Sequence, residues 1–408
     1  MSVTLKAIKF NHDSASSSHD AINIRKSKNQ FISVPEWEKG SSSKAEDSLA
    51  AYAIKETHGN TITVQARFTA PDIQSAEIRA IDPTTSPSGS GGCGAWLISL
   101  IIKIIQAAFG NVLGEVKKRT ITFGSGGDSG FVSFDLKNTS LTQSGVGIHY
   151  TTWKWQYRRN SGQPWQDIQT TKHKIYVLLE TPTAPWQQSP YNASNTQLPW
   201  TDVMDHSCLW ALGTKDRDSA AGKVTENVYD LGPSTLQYDC PGGGASHYAY
   251  GNFNCTQFLN RLDGGSGLGK YVNCTDCATI VSTFSNVLGC DLWQSQMGYG
   301  FQLNDIIAIG YSNWYPGCSN WPNTGFSYHE VAWKGGCDTD DEVFDACLQV
   351  DGDNDPTSSP HTPLLPINMR FGTCNGPLEY RRRLSPLGAN GCQNCSPKPS
   401  TKKRRQII

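Results

Sequence analysis

Between residues 59 and 180, apolar side chains fall on alternate positions. Ile62, Val64, Ala66 and Phe68 keep one parity, as do Val132, Phe134 and Leu136, and again Trp153, Trp155 and Tyr157. Lys174–Leu179 is a further strand segment. Period two places every second side chain on one face of a strand, and turn signals between the runs predict a stack of short strands. The expectation over 59–185 is an all-β, Ig-like antiparallel sandwich. Residues 1–58 are polar and serine-rich and read as a loose lead that lends strands, such as Val3–Phe10 and Phe31–Val34. Pro182, Pro185, Pro190 and Pro199 then mark 186–200 as a linker.

The pattern changes after residue 200. A polar cap at Asp218 opens a helix that runs toward Asp230. Cys277, Ile280, Val281 and Phe284 recur at i, i+3, i+4 and i+7, and Val287 and Leu288 extend the same stripe to Gly289. That spacing is one apolar face of a helix with a glycine stop. Strands follow at Asp305–Gly310, around His329, and at Val343–Val350. One helix followed by several strands predicts an α+β domain over 201–395. The last residues, 396–408, carry Lys402-Lys403-Arg404-Arg405 and read as a basic disordered tail.

Composition narrows the function. The 408 residues hold 17% charged side chains and a net charge of −1, which excludes a broad basic face for nucleic acid. The most apolar stretch is 95–114, and its unbroken run, Ala95–Ile102, falls short of the ~20 residues a membrane span needs. No stable span is expected; the stretch reads as a buried hairpin or core helix. Met1–Phe10 lacks the apolar core of a secretory signal. The expectation is synthesis in the cytoplasm, with export, if any, by a specialised secretion or injection system that engages the sandwich.

Thirteen cysteines, twelve of them after residue 207, fit either disulfides or buried free thiols. Cys274/Cys277 and Cys392/Cys395 have zinc-like spacing. A nucleophile does not double as a structural ligand, so neither metal nor cofactor is expected. Asp351-Gly352-Asp353-Asn354-Asp355 starts like a calcium loop but lacks the downstream glutamate and reads as a solvated turn. Trp153-Lys154-Trp155-Gln156-Tyr157 has the aromatics of a sugar platform, but strand parity favours packing.

The candidate chemistry lies in three residues. Cys274 precedes the apolar stripe by one turn, at a helix N-terminus, where free N–H groups and the helix dipole favour an anion and can hold an oxyanion. His329 lies in an alternating strand, and Asp345 sits in an apolar segment where a lone carboxylate is costly. Nucleophile, base and orienting acid in that order suit thiol catalysis. Cys277 is the rival thiol, but it falls on the apolar stripe, so Cys274 is preferred.

These residues resemble the transglutaminase-like superfamily, with its papain-like core. Cys274-Thr275-Asp276-Cys277-Ala278 matches the family's C-x-[DE]-x-A motif, and Leu288-Gly289 falls where its helix ends. His329 opens a strand, and Phe344-Asp345 follows, with Asp345 sixteen positions beyond His329. The resemblance spans roughly 255–355. Trp333 lies further from His329 than the family's usual aromatic, and the segment after Asp345 is acidic. The resemblance implies a Cys274–His329–Asp345 triad that forms a thioester on a protein or peptide substrate. Hydrolysis of amide, peptide or isopeptide bonds ranks first, in an exported effector or toxin among other settings. Transglutaminase-type acyl transfer is the alternative, and a non-enzymatic protein that keeps the fold is the second.

Overall fold

Trp153 and Trp155 sit two positions apart on one strand, so both point the same way, and both are fully buried. Trp155 meets Phe68 edge-on at 5.6 Å and Phe134 at 6.0 Å. Each indole stabilises the fold by roughly 5 kcal/mol at most, reckoned against an extended chain. Their amines are satisfied, Trp153 by Gly114 O at 2.8 Å and Trp155 by Thr171 Oγ1 at 3.1 Å. The aromatic strand is therefore core.

The computed structural model describes residues 2–12, 21–41, 43–54, 62–83, 111–138, 141, 143–314 and 325–408. Most of the apolar stretch 95–114, through residue 110, lies outside the described residues. Among those described, no helix is long and apolar enough to cross a membrane. Taken whole, this is a mixed α/β chain with several sheets. It divides into two compact units, Met1–Lys26 with Gln30–Thr181, and Ser27–Asn29 with Pro182–Ile408.

The first unit has two sheets. One runs Trp37–Glu38, Thr4–Lys9, Thr63–Thr69, Asp128–Asp135; the other runs Leu49–Ala53, Gln166–Leu178, Gly147–Arg158, Ser75–Ile81, Val116–Thr122. Their apolar positions meet in one cluster. Thr4–Lys9 is the strand expected within Val3–Phe10, and it pairs with Thr63–Thr69. Leu49–Ala53 departs from the expected antiparallel stack: it pairs in parallel with Gln166–Leu178. A parallel pair needs a long connection rather than a hairpin, so local turn signals do not announce it.

In the second unit, residues 186–200 are no linker. Trp186, Leu198 and Trp200 are buried, and Trp186 Nε1 donates to Thr283 O at 3.0 Å. The helix they brace, Cys274–Asn286, is buried on every face. Its apolar stripe was legible; its polar side goes inside as well, because Thr279 and Ser282 bond back to the carbonyls of Thr275 and Ala278 at 2.7 and 2.8 Å. Helices Thr201–Trp210 and Arg217–Tyr229 pack beside it; the latter is capped by Asp216, not Asp218, which lies within it.

One face of the Cys274 helix packs on an antiparallel sheet of order Met369–Arg370, Glu342–Phe344, His329–Trp333, Trp293–Met297, Pro397–Lys403. The last strand corrects the disordered tail. Pro397–Lys403 pairs with Trp293–Met297, and Arg405 and Ile407 beyond it are buried. Lys402 and Arg404 lie over the Trp293 ring at 4.2 and 3.7 Å, so the basic run is held by an aromatic face and a sheet edge. The expected strand Val343–Val350 is also broken. Glu342–Phe344 and Leu348–Asp351 belong to different sheets, and the Asp345 N–H turns away to Pro366 O at 2.9 Å.

Candidate active site

A capping box starts the Cys274 helix. Asn273 Oδ1 accepts from the Asp276 N–H, and Asp276 Oδ2 accepts from the Asn273 N–H, each at 3.1 Å. This fixes Cys274 as the first helical residue, 4% exposed. The buried Asp276 carboxylate does more. It also takes the backbone N–H groups of His247, Tyr248 and Ala249 at 2.8–2.9 Å and the Ser246 hydroxyl at 2.8 Å. Five donors on one carboxylate tie the 246–249 loop to the helix start.

His329 opens its strand opposite Met297. Val343 lies opposite Trp333, so Asp345, two residues on, projects to the face that carries His329. The two side chains meet, His329 Nε2 to Asp345 Oδ2, at 2.9 Å, and both are buried. Two further donors hold the acid: Tyr380 OH reaches Oδ2 at 2.8 Å and the Cys347 N–H reaches Oδ1 at 2.8 Å. Phe326 stacks on the imidazole with centroids 5.1 Å apart and planes 11° off parallel. Burial opposes a charge on His329, but the Asp345 carboxylate, with a smaller contribution from Cys274, outweighs it, and the imidazole pKa is raised to about 10. Among the described residues, Nδ1 of His329 makes no hydrogen bond of good geometry. With Nε2 on the acid, Nδ1 is the nitrogen left to exchange a proton with a reacting group on the Cys274 side.

Cys277, one turn on, is fully buried against Cys347. A hydrogen bond from Cys347 lowers its thiol pKa, but burial and the neighbouring negative groups prevail and raise it. Burial raises Cys347 well above the ordinary thiol range. A raised thiol holds little thiolate at neutral pH and is a poor nucleophile.

A second polar network lies beside the start of the Cys274 helix. Arg405 grips Glu330 with two bonds, at 2.5 and 3.1 Å, and also reaches Gln294 Oε1 at 2.8 Å and Thr279 Oγ1 at 3.1 Å. Thr275 Oγ1 bonds Glu330 Oε2 at 3.0 Å and meets Tyr328 OH at 3.1 Å. Closer to the surface, His247 Nε2 pairs with Asp239 Oδ2 at 3.0 Å. Sequence pattern did not single out Tyr380, Glu330 or the Asp239–His247 pair, and it took Arg405 only as part of a basic tail. Only Glu330 carried a local signal, as a charge inside an apolar strand.

The metal-like motifs are used otherwise. Cys392 is bonded to Cys374, not to a metal. Asp351 is buried rather than solvated; its carboxylate takes His361 Nδ1 at 2.6 Å and the Thr362 and Asp353 N–H groups at 2.9 and 3.2 Å. Among the described residues, no group of three or more histidine, cysteine or acidic side chains is placed to hold a metal ion.

No family model matches the chain, and no curated protein matches it. A crystal structure of red sea bream transglutaminase is similar to it. The TM-score is 0.34 and the identity 9%, over 76% of this chain and 50% of that one. The chain thus spans half the length of that enzyme, and a likeness at this level carries no weight in assigning a function.

Proposed function

We propose that this chain is a cysteine-nucleophile hydrolase that cleaves amide, peptide or isopeptide bonds through a thioester. The buried 2.9 Å bond between His329 and Asp345, with Nδ1 of the imidazole left over on the Cys274 side, carries this reading. Cys274 sulfur attacks the carbonyl carbon, and the C–S bond forms as the carbonyl π pair moves to oxygen. The N-terminal N–H groups of the Cys274 helix face that oxyanion. As the C–N bond breaks, the His329 imidazolium gives its proton to the leaving nitrogen. Asp345 keeps the imidazole in the one tautomer and orientation that allow this. Water then attacks the thioester, His329 takes its proton, and the acid leaves with Cys274 restored. An amine in place of water would give acyl transfer.

The test is turnover of a peptide and isopeptide panel by wild type, Cys274→Ala and His329→Ala. Removing the nucleophile ends the covalent path, so Cys274→Ala should lose turnover to background while its fold persists. Retained turnover in that variant would sink the assignment.

A further inference from the structure

The residues next to the nucleophile and the base are joined by a hydrogen-bond chain whose direction is fixed. Glu330, held in an ion pair by Arg405, has acceptors only. Thr275 Oγ1 therefore donates to Glu330 Oε2, at 3.0 Å. A threonine hydroxyl has one proton, so the 3.1 Å contact between Thr275 Oγ1 and Tyr328 OH runs the other way, with Tyr328 donating. The chain reads Tyr328 to Thr275 to Glu330, with Arg405 behind. The phenol's proton is committed, and its oxygen offers only lone pairs.

Position makes this useful. Thr275 follows Cys274 on the helix, and Tyr328 comes immediately before His329, where that strand begins. Thr275, Glu330 and Arg405 are buried, while Tyr328 is half-buried. Among the described residues the phenol makes no other hydrogen bond. Burial, then the nearby Cys274, raises its pKa, so the phenol stays neutral at working pH. Each donor in the chain polarises the next, which makes the phenol oxygen a better acceptor.

We propose that Tyr328 accepts a hydrogen bond from the N–H of the scissile amide, and so selects acyl donors that carry an N–H over esters. The inference rests on the hydrolase reading and deepens it. When sulfur adds to the carbonyl carbon, the amide nitrogen becomes pyramidal and basic. Tyr328 holds one N–H, which turns the new nitrogen lone pair toward the imidazolium. The proton moves from His329 to nitrogen, the C–N bond breaks, and the amine leaves. An ester oxygen has no hydrogen to give the phenol. Thr275, Glu330 and Arg405 are positioning residues that act through Tyr328.

The experiment uses the full chain and a panel of N-acetylaminoacyl 4-nitroanilides with the matching 4-nitrophenyl esters. kcat/KM is measured for wild type, Tyr328→Phe, Thr275→Val and Thr275→Ser. One lost hydrogen bond corresponds to about a tenfold change, so the anilide-to-ester ratio should drop about tenfold in Tyr328→Phe. Thr275→Val should lower the ratio in the same direction, and Thr275→Ser, which keeps the hydroxyl, should restore it. If Tyr328→Phe does not fold, the two threonine variants carry the test. A ratio unmoved by these changes, or a uniform fall for both substrates, overturns the role of Tyr328 and leaves the hydrolase reading standing. A wild-type protein that cleaves no anilide of the panel overturns both.

Discussion

Tyr380 donates its hydroxyl to Asp345 Oδ2 at 2.8 Å, the same oxygen that accepts from His329. A helix 35 residues downstream thus steadies the Asp345 carboxylate. Tyr380→Phe keeps the ring and removes one donor from a buried carboxylate. Bonds to charged groups contribute about 1.5–3 kcal/mol, so the unfolding free energy in urea should fall by about 2 kcal/mol. Turnover should fall as the acid loosens. An unchanged midpoint would mean that the phenol bond is not formed in solution.

The raised pKa of His329 makes a pH prediction. Its folded value of about 10 lies above the ordinary imidazole value of about 6.5. The folded chain holds the extra proton between them, so the stability from this pair is full below pH 6.5 and is lost as pH rises through 10. Asp345→Asn removes the charge that raises His329 and leaves burial, which lowers it. The fall in stability between pH 6.5 and 10 should vanish in the variant. The alkaline limb of its residual kcat/KM should move down from near pH 10 toward or below 6.5. Identical limbs in the two proteins would contradict the pair.

Asp276 should matter more for folding than a motif residue usually does. Asp276→Asn exchanges one acceptor oxygen for an amine that faces N–H donors. With five donors involved, the loss should reach about 3 kcal/mol or more, read from thermal unfolding. A loss below about 1 kcal/mol would mean that other groups hold the 246–249 loop.

Arg405 makes the C-terminal segment part of the site. Arg405→Met leaves Glu330 buried and unpaired, and such breaks cost about 3–5 kcal/mol. Arg405→Met with Glu330→Leu removes both charges and should recover most of that. A double-mutant cycle in urea measures the coupling; additive losses would mean no buried ion pair.

These residues also show what a sequence conveys. The alternation that ends in Trp153 and Trp155 announces buried strands, and the Cys277-to-Leu288 stripe announces the helix behind Cys274, because both are periodicities within one element. Arg405 is the opposite case. Four adjacent basic residues read as solvated until Glu330, 75 positions away, supplies the partner. Tyr380 carries no local mark, since its role is set by where the chain brings it. Asp345 was legible as a carboxylate in an apolar segment. The strand drawn through it was not real, because Pro366 takes its N–H and turns the chain into a second sheet. The parallel pairing of Leu49–Ala53 likewise depends on a partner more than a hundred residues on.

The most direct measurement is the site of acylation. Wild-type protein is mixed with a substrate of the panel, quenched in acid within the first turnover, and digested for tandem mass spectrometry. Cys274 and Cys277 share a peptide, so fragment ions decide between them. The acyl mass should lie on Cys274, fall in His329→Ala, and be absent in Cys274→Ala. An adduct on Cys277, or turnover with no thioester at any cysteine, would contradict the account.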